Sequence, residues 1–197
     1  MIDGPLPHSL EAWKYIPNLG CVKYSTRQAK LMLGLETERL VFERWKETDF
    51  TQVREYFSNE ANTHFLGGVK GSEESWRLIA TYEGHYEFKG YSYLAVRKKG
   101  TRELIGSIGL WNSEPWPELE LGYWLFSEFQ GQGYAAEAAM AARDYAFDTL
   151  KEKTLVSYIE PSNEASIKLA KRLGAVREGS IELLNFGRHD VYRYENP

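Results

Sequence analysis

One stretch of the sequence, Gln130-Gly131-Gln132-Gly133, has residue types that suit phosphate binding. Alanine-rich sequence behind it favours a helix, and alternating apolar residues from Leu119 to Leu125 ahead of it predict a strand. A glycine-rich turn between a strand and a helix exposes unpaired backbone N–H groups at the positive end of the helix dipole. Glycine also lets the backbone approach a ligand, because a Cβ atom would stand in the way.

Several kinds of phosphate site share this chemistry. A Mg-nucleotide loop needs Lys and Ser/Thr directly after its last glycine, and neither follows Gly133. A dinucleotide site needs a first βα turn and an acidic residue at a strand end about 20 residues on, whereas Asp148 and Glu152 fall on a helix and its exit. A helix start with glycines for tight packing is the alternative without a ligand.

The elements around this loop predict a mixed α/β fold in the order βααβββαβαββ. Periodicity gives strands near 39–45, 91–97, 103–111, 119–125, 154–160, 175–183 and 190–194. Helices are predicted after Thr48, from Ser72 to near Gly90, from Gly133 to Leu150 and from Glu164 to Leu173, with a loop over 62–70. The strand, glycine loop, helix and strand in the middle predict one central parallel step.

Composition narrows the function classes. The 197 residues carry a net charge of −4 without a Lys/Arg run, which disfavours nucleic-acid binding. A single cysteine, Cys21, fits a reducing compartment, and the lack of a long apolar run or a signal-peptide pattern predicts no membrane contact and a cytoplasmic protein. The four histidines show no metal-ligand spacing, so we expect no metal.

The first 34 residues differ from the rest of the chain. Gly4-Pro5, Pro7 and Pro17 interrupt any long element, and Leu10, Trp13 and Ile16 predict one or two helical turns. We therefore expect an N-terminal extension over residues 1–34 and one domain over residues 35–197.

Two motifs resemble the GNAT superfamily of N-acetyltransferases. Gln130, Gly133 and Ala135 match its Gln/Arg-x-x-Gly-x-Gly/Ala diphosphate loop, and the stretch from Asn163 to Gly174 resembles its Asn-x-x-Ala/Ser-x-x-Leu-x-x-Lys/Arg-x-Gly segment. The Gly-Tyr-Trp-Leu strand looks most like the branch of ribosomal-protein alanine acetyltransferases (RimJ/RimL-like). The resemblance implies a mostly antiparallel sheet with a central, splayed parallel strand pair and helices on both faces.

The resemblance also implies acetyl-CoA as co-substrate and an amine as acceptor, either a protein N-terminus or a small molecule. It places the diphosphate on Gln130, Gly131, Gln132, Gly133, Tyr134 and Ala135, the pantetheine arm along Leu125 and Phe126, and further contacts on Asn163 and Ser166. A backbone N–H near Leu125 would stabilise the oxyanion, as in relatives, while Asn163 equally suits a helix N-cap. For the oligomeric state we expect a monomer or a homodimer.

Glu120 is the candidate general base, because it lies on the central strand just ahead of the Gly-Tyr pair, where family members often carry an acidic residue. Partial burial would raise its pKa. The competing interpretation is an edge carboxylate that faces solvent or pairs with a basic residue such as Arg44. Glu118 is a weaker candidate, being nearer the Pro115-Trp116-Pro117 turn that precedes the strand.

The sequence does not identify the general acid. Many relatives carry a Tyr on the helix after Asn163, where this chain has Ala170. Ser166, Tyr123 or Tyr134 could replace it, or the thiolate leaves without a dedicated acid. This departure keeps a second hypothesis open, a catalytically weak acyl-CoA-binding sensor of the same fold.

Overall fold

A computed structural model of the protein describes residues 12–16, 20–24 and 32–196, and the chain forms two compact units, 1–30 and 31–197. In the first unit, β1 (Ala12–Ile16) and β2 (Gly20–Tyr24) form an antiparallel hairpin. The helical turns predicted around Trp13 and Ile16 are therefore wrong there, because an aromatic and a β-branched residue also favour strands. Leu10 lies outside the described residues, and the assignment of 1–34 as an extension stays a prediction.

The second unit contains seven strands and five helices in its described residues. The strands are β3 (Leu40–Glu43), β4 (Tyr93–Lys98), β5 (Leu104–Trp111), β6 (Glu120–Leu125), β7 (Thr154–Ile159), β8 (Val176–Glu182) and β9 (Arg188–Glu195). The helices are α1 (Phe50–Phe57), α2 (Glu60–Thr63), α3 (Ser72–Lys89), α4 (Tyr134–Asp148) and α5 (Glu164–Arg172). No helix in these described ranges is long and apolar enough to cross a bilayer.

The strands form one sheet in the order β3-β4-β5-β6-β7-β9-β8. Every neighbouring pair is antiparallel except β6 and β7, which are parallel. The predicted mixed α/β fold with a single central parallel pair is confirmed. The connection from β6 to β7 runs through the glycine loop and α4, as a parallel pair requires.

Side chains on β6 alternate between the two faces of the sheet. Leu121 and Leu125 pack in one buried cluster with alanines of α4, and Trp124 packs in a second cluster with Val53 of α1 and Tyr82 of α3. Helices therefore cover both faces, which confirms that prediction. Period-2 alternation along one strand explains how a single segment serves two cores.

The segment predicted as a loop over 62–70 begins within a helix. Asn59 caps α2 by accepting a hydrogen bond from the Ala61 N–H at 3.0 Å, so the helical turn includes Thr63. α3 begins at Ser72, as predicted, and stops before Gly90, whose φ of 78° only glycine adopts readily.

Candidate active site

β6 and β7 separate soon after they meet. The Val156 N–H donates to the Leu119 carbonyl at 3.0 Å, and Glu120 lies opposite Val156. Beyond that pair, the link between the described strands is the Ser157 hydroxyl, which donates to the Leu121 carbonyl at 2.6 Å. The predicted splay is confirmed, and it opens a gap in the middle of the sheet.

The backbone of Leu125 faces this gap. Phe126 N–H donates to the Ile105 carbonyl on the β5 side at 3.0 Å. Because successive residues of a strand direct their backbone groups to opposite sides, the Leu125 amide points toward β7. The Leu125 carbonyl accepts from Gln130 Nε2 at 3.2 Å, so the first side chain of the glycine loop fastens that loop to the end of β6.

The side chain of Phe126 lies elsewhere. Its ring packs edge-on against Tyr56 and Trp124 at 5.4 and 5.5 Å between centroids, on the α1 side of the sheet. The Phe126 N–H donates to the Ile105 carbonyl, and the Phe126 carbonyl accepts from the Phe129 N–H at 3.0 Å. Both backbone groups therefore already have a partner, and the predicted contact of Phe126 with a pantetheine arm stays a prediction.

The glycine loop turns sharply into α4. Gly131 and Gly133 have φ values of 73° and 82°, which a side chain would strain. No side chain among the described residues caps the first turn of α4, so the amides of Tyr134 and Ala135 are open to a ligand. The Tyr134 ring is buried, so this residue offers its backbone alone, while Gln132 Nε2 is held by the Glu128 carbonyl at 2.7 Å.

Arg39 and Glu137 brace this loop, and sequence reasoning did not identify either residue. Glu137, in the first turn of α4, accepts from Arg39 Nε at 2.6 Å and from the Arg39 backbone N–H at 2.9 Å. Arg39 Nη1 donates to the Gln132 carbonyl at 3.2 Å. The available signal was an acidic residue in the first turn of α4 and a basic residue just before β3. Only the fold brings the two together.

Glu120 is buried in the sheet, with 8% of its surface exposed. The Tyr93 hydroxyl donates to Glu120 Oε2 at 3.0 Å. Burial raises the pKa of Glu120 to about 7, although Tyr93, the backbone of Tyr158 and the side chain of Trp116 lower it in part. A carboxylate that is poised near neutrality in a cavity can accept a proton at physiological pH.

The structure distinguishes the roles of the two strand carboxylates, Glu118 and Glu120. Arg44 forms ion pairs with Glu83 and Glu87, not with Glu120. Glu118 pairs with Arg193 through two contacts of 2.8 and 2.9 Å, which lowers its pKa. Glu118 is therefore a structural anion, and Glu120 has the environment of a reactive group.

α5 closes the other side of the gap. Asn163 Oδ1 accepts from the Ser166 N–H at 3.1 Å, which fulfils its N-cap interpretation. The Tyr123 hydroxyl donates to the Ser166 carbonyl at 3.1 Å. Ala170 is fully buried in the core.

Tyr134 lies apart from the gap. The Arg39 guanidinium lies 4.3 Å above its ring, beside the glycine loop. Of the two tyrosines suggested as general acids, Tyr123 alone lines the cavity that holds Glu120.

That cavity has a volume of about 370 Å³. Glu120, Tyr123, Asn163 and Ser166 line it together with Trp111, Trp116 and Trp124. The glycine loop and the side chains of Leu125 and Phe126 do not line it. The residues thus form two groups, a loop that suits an anion and a cavity with a carboxylate, joined along the gap. No cluster of three or more potential metal ligands occurs in the described part of the chain.

The family described as the acetyltransferase (GNAT) domain matches residues 39–176. The uncharacterized N-acetyltransferase YoaA of Bacillus subtilis is 28% identical over 165 residues, covering 82% of this chain and 89% of YoaA. The crystal structure of an acetyltransferase from Agrobacterium tumefaciens is 35% identical with a TM-score of 0.75, covering 82% of this chain and 93% of that one. RimL, a ribosomal L7/L12 α-N-protein acetyltransferase solved with coenzyme A, shares the fold at 19% identity and a TM-score of 0.67, over 84% and 97% of the two chains.

The chain belongs to the GNAT acetyltransferase family. The resemblance inferred from its two motifs is confirmed, and ribosomal-protein acetyltransferases are among its relatives at low identity. Enzymes of this family use acetyl-CoA as acetyl donor.

The raised pKa of Glu120 gives a stability test. The pKa is about 7 in the folded state against 4.5 for the unperturbed group, so the penalty for its charge is absent below about 4.5 and complete above about 7. Wild-type stability should fall across that window by on the order of 3 kcal/mol, whereas Glu120→Gln should lack this loss. Urea unfolding at pH 4.5 and 8.5 measures the difference.

Glu118→Gln is the matched control. The pKa of Glu118 is lowered, so its stabilising contribution is present at high pH and lost as the pH falls. Removing it should destabilise the protein more at pH 8.5 than at pH 4.5. This pH dependence is opposite in sign to the one expected for Glu120→Gln. Equal pH dependence in wild type and Glu120→Gln would contradict the assigned environment of Glu120.

Proposed function

We propose that this protein is an acetyl-CoA-dependent N-acetyltransferase that moves the acetyl group to a primary amine by direct attack on the thioester, with Glu120 as general base. The observation that carries the proposal is the buried Glu120 carboxylate, with its pKa near 7, in a cavity open to the gap between β6 and β7. A cytoplasmic location and the oligomeric state stay predictions of the sequence.

The coenzyme would enter along the gap. Its diphosphate would accept hydrogen bonds from the amides at the start of α4, and its pantetheine amides would pair with backbone groups that β6 leaves free. Support comes from the exposed loop, the absence of a capping side chain in this described segment and the orientation of the Leu125 amide. Of the predicted set, Gly131, Gln132, Gly133, Tyr134 and Ala135 act through backbone amides in this scheme. The Gln130 N–H already donates to the Ser127 carbonyl at 3.2 Å, so Gln130 supports the loop through its side chain instead.

The amine reaches the site as an ammonium and must lose a proton. Glu120, directly or through water, would take that proton, and the amine nitrogen would then attack the thioester carbon. The Leu125 amide would donate to the oxyanion that forms. Collapse of the tetrahedral intermediate breaks the carbon–sulfur bond, and the acetyl group stays on nitrogen. The departing thiolate takes up the second proton that the nitrogen loses, so the products are the neutral amide and the thiol of CoA.

Tyr123 is the candidate that supports thiolate departure. Burial raises its pKa well above the usual range, so it remains protonated and acts as a hydrogen-bond donor. Its hydroxyl lies at the Ser166 carbonyl, on the side of the gap where α5 begins. Ser166 offers a hydroxyl in the same cavity and is the second candidate.

Catalysis by Glu120 predicts a defined kinetic signature. With an amine acceptor and acetyl-CoA, Glu120→Gln should lower kcat by on the order of 10²–10⁴ while leaving acetyl-CoA binding intact. The wild-type rate should rise with pH through an apparent pKa near 7, because Glu120 must be deprotonated, and this limb should vanish in the variant. Thiol release measured with DTNB reports the rate, and thermal shift with acetyl-CoA reports binding.

The sensor hypothesis has its own outcome in the same experiment. Acetyl-CoA would then raise the melting temperature of both proteins, and no acceptor would give thiol release from wild type above the Glu120→Gln level.

The diphosphate site predicts a charge effect at Gln132. Gln132→Glu adds a negative charge beside the first turn of α4, so we expect the KM for acetyl-CoA to rise roughly tenfold at low salt and less at 0.5 M salt. kcat at saturation should change little. Met140→Glu places the same charge farther along α4 on an exposed position and should leave KM unchanged.

The tyrosine assignment predicts different results for two conservative variants. Tyr123→Phe should lower kcat roughly tenfold or more without changing the KM for acetyl-CoA, because a donor to the leaving thiolate is lost. Tyr134→Phe removes a hydroxyl outside the cavity and should retain wild-type kcat. Equal kcat in both variants and wild type would reject Tyr123 and leave Ser166, which Ser166→Ala would then test.

A further inference from the structure

Aromatic rings form the walls of the cavity around Glu120. Tyr93 and Trp111 stack at 5.5 Å, and Tyr82 lies edge-on to Tyr93 at 5.3 Å. Behind Trp124, the Tyr56 ring stacks at 4.5 Å. The rings hold one another in place, so the cavity is formed before a ligand arrives, and its surface suits a flat apolar body.

The rim of the cavity is apolar as well. Phe65, Leu184 and Phe186 line it with 38%, 46% and 48% of their surfaces exposed. Phe186 lies over the loop at Gly67 and edge-on to Trp116 at 5.8 Å. Large exposed apolar side chains gathered at the mouth of a cavity mark a contact surface for an apolar ligand.

Lys70 brings a positive charge to the same cavity. Its ammonium donates to the Leu66 and Gly68 carbonyls at 3.0 and 3.4 Å and lies 5.6 Å from the centroid of the Phe57 ring. Lys70 makes no ion pair with any described carboxylate, and desolvation lowers its pKa. A second positive charge on an acceptor would therefore meet repulsion inside a poorly solvated site.

The other described charged groups near Lys70 make no ion pair with it. Glu74, which accepts from the Gly71 N–H, acts on Lys70 only through space and raises its pKa in part. Glu160 accepts hydrogen bonds from the backbone N–H and the hydroxyl of Ser162. His189 contacts the Gly187 carbonyl through Nδ1 at 3.1 Å. Glu120 is the buried carboxylate of the cavity, so we place the ammonium group of the acceptor there.

We propose that the acceptor is a small arylalkyl primary amine whose far end is neutral or anionic, and that Lys70 is the specificity-determining residue that excludes polycations. This inference rests on the proposed function. The amine would lie at Glu120, its ring between the aromatic walls, and its far end toward Lys70 and the apolar rim. The coenzyme's acetyl end occupies part of the same 370 Å³, which limits the buried body to about one ring system.

The test uses three acceptors with one body and different far ends. They are phenethylamine, 4-(2-aminoethyl)benzoate and 4-(2-aminoethyl)-N,N,N-trimethylanilinium, whose fixed cation cannot itself be acetylated. With the full chain and acetyl-CoA, we expect kcat/KM for the first two to exceed that for the cation at least about tenfold. Spermidine and short N-terminal peptides complete the panel and should react more slowly than phenethylamine.

Lys70→Gln should act on charge alone. We expect it to lower kcat/KM for the benzoate and raise it for the trimethylanilinium, each by roughly threefold to tenfold and mainly through KM, with phenethylamine unchanged. Lys168→Gln removes an exposed lysine that pairs with Glu164 on α5 and should change none of the three. Phe186→Ala should raise KM for all three acceptors together.

Two results overturn the inference while the proposed function stands. The first is that spermidine or peptides are acetylated faster than the arylalkyl amines in a reaction that depends on Glu120. The second is that the ranking of the three acceptors by kcat/KM is the same in Lys70→Gln as in wild type. If no acceptor releases CoA although acetyl-CoA raises the melting temperature, the proposed function and the inference both fail.

Discussion

The divergence of β6 from β7 is the constraint on which the site depends. A parallel pair normally continues its ladder, but here the described ladder stops at Glu120 and Val156, and a serine side chain makes the next link. Each unpaired N–H or C=O in such a gap would be costly if it stayed buried without a partner. An extended ligand with amide groups would satisfy both strand edges and so offset this cost, as the proposed binding of the pantetheine arm requires.

The same divergence explains the electrostatics. Glu120 is the last residue of β6 still paired with β7, so its carboxylate lies at the point where the sheet opens, buried among aromatic rings. Such burial disfavours the charged form and raises the pKa to about 7. At the far end of the gap the surroundings favour a negative charge instead. There Arg39 neutralises Glu137, and the first amides of α4 stay exposed for an anion.

Some of the site could be predicted from the sequence because its signal is local. The glycine loop and Asn163 are defined by spacing along the chain, and β6 by strict alternation. Tyr93, Lys70 and the pair of Arg39 and Glu137 could not be found this way. Each comes from a segment distant in the chain, and only the tertiary fold brings it to the site. The error at Trp13 has a different cause, since its short segment has no periodicity long enough to distinguish a helix from a strand.

Gly122 shows how closely strand chemistry and site chemistry are linked. A Cβ atom there would lie 2.4 Å from the Tyr93 hydroxyl oxygen and 2.7 Å from Cζ, so any side chain would push that ring away. The Tyr93 hydroxyl donates to Glu120 and lowers the pKa of that carboxyl in part. Displacing the ring removes this hydrogen bond and disturbs the stacking of Tyr93 with Trp111. The glycine that follows Leu121 is therefore required by a contact from β4, two strands away in the sheet. A glycine in mid-strand by itself weakens a strand, but here it leaves room for the Tyr93 ring, whose hydroxyl donates to Glu120.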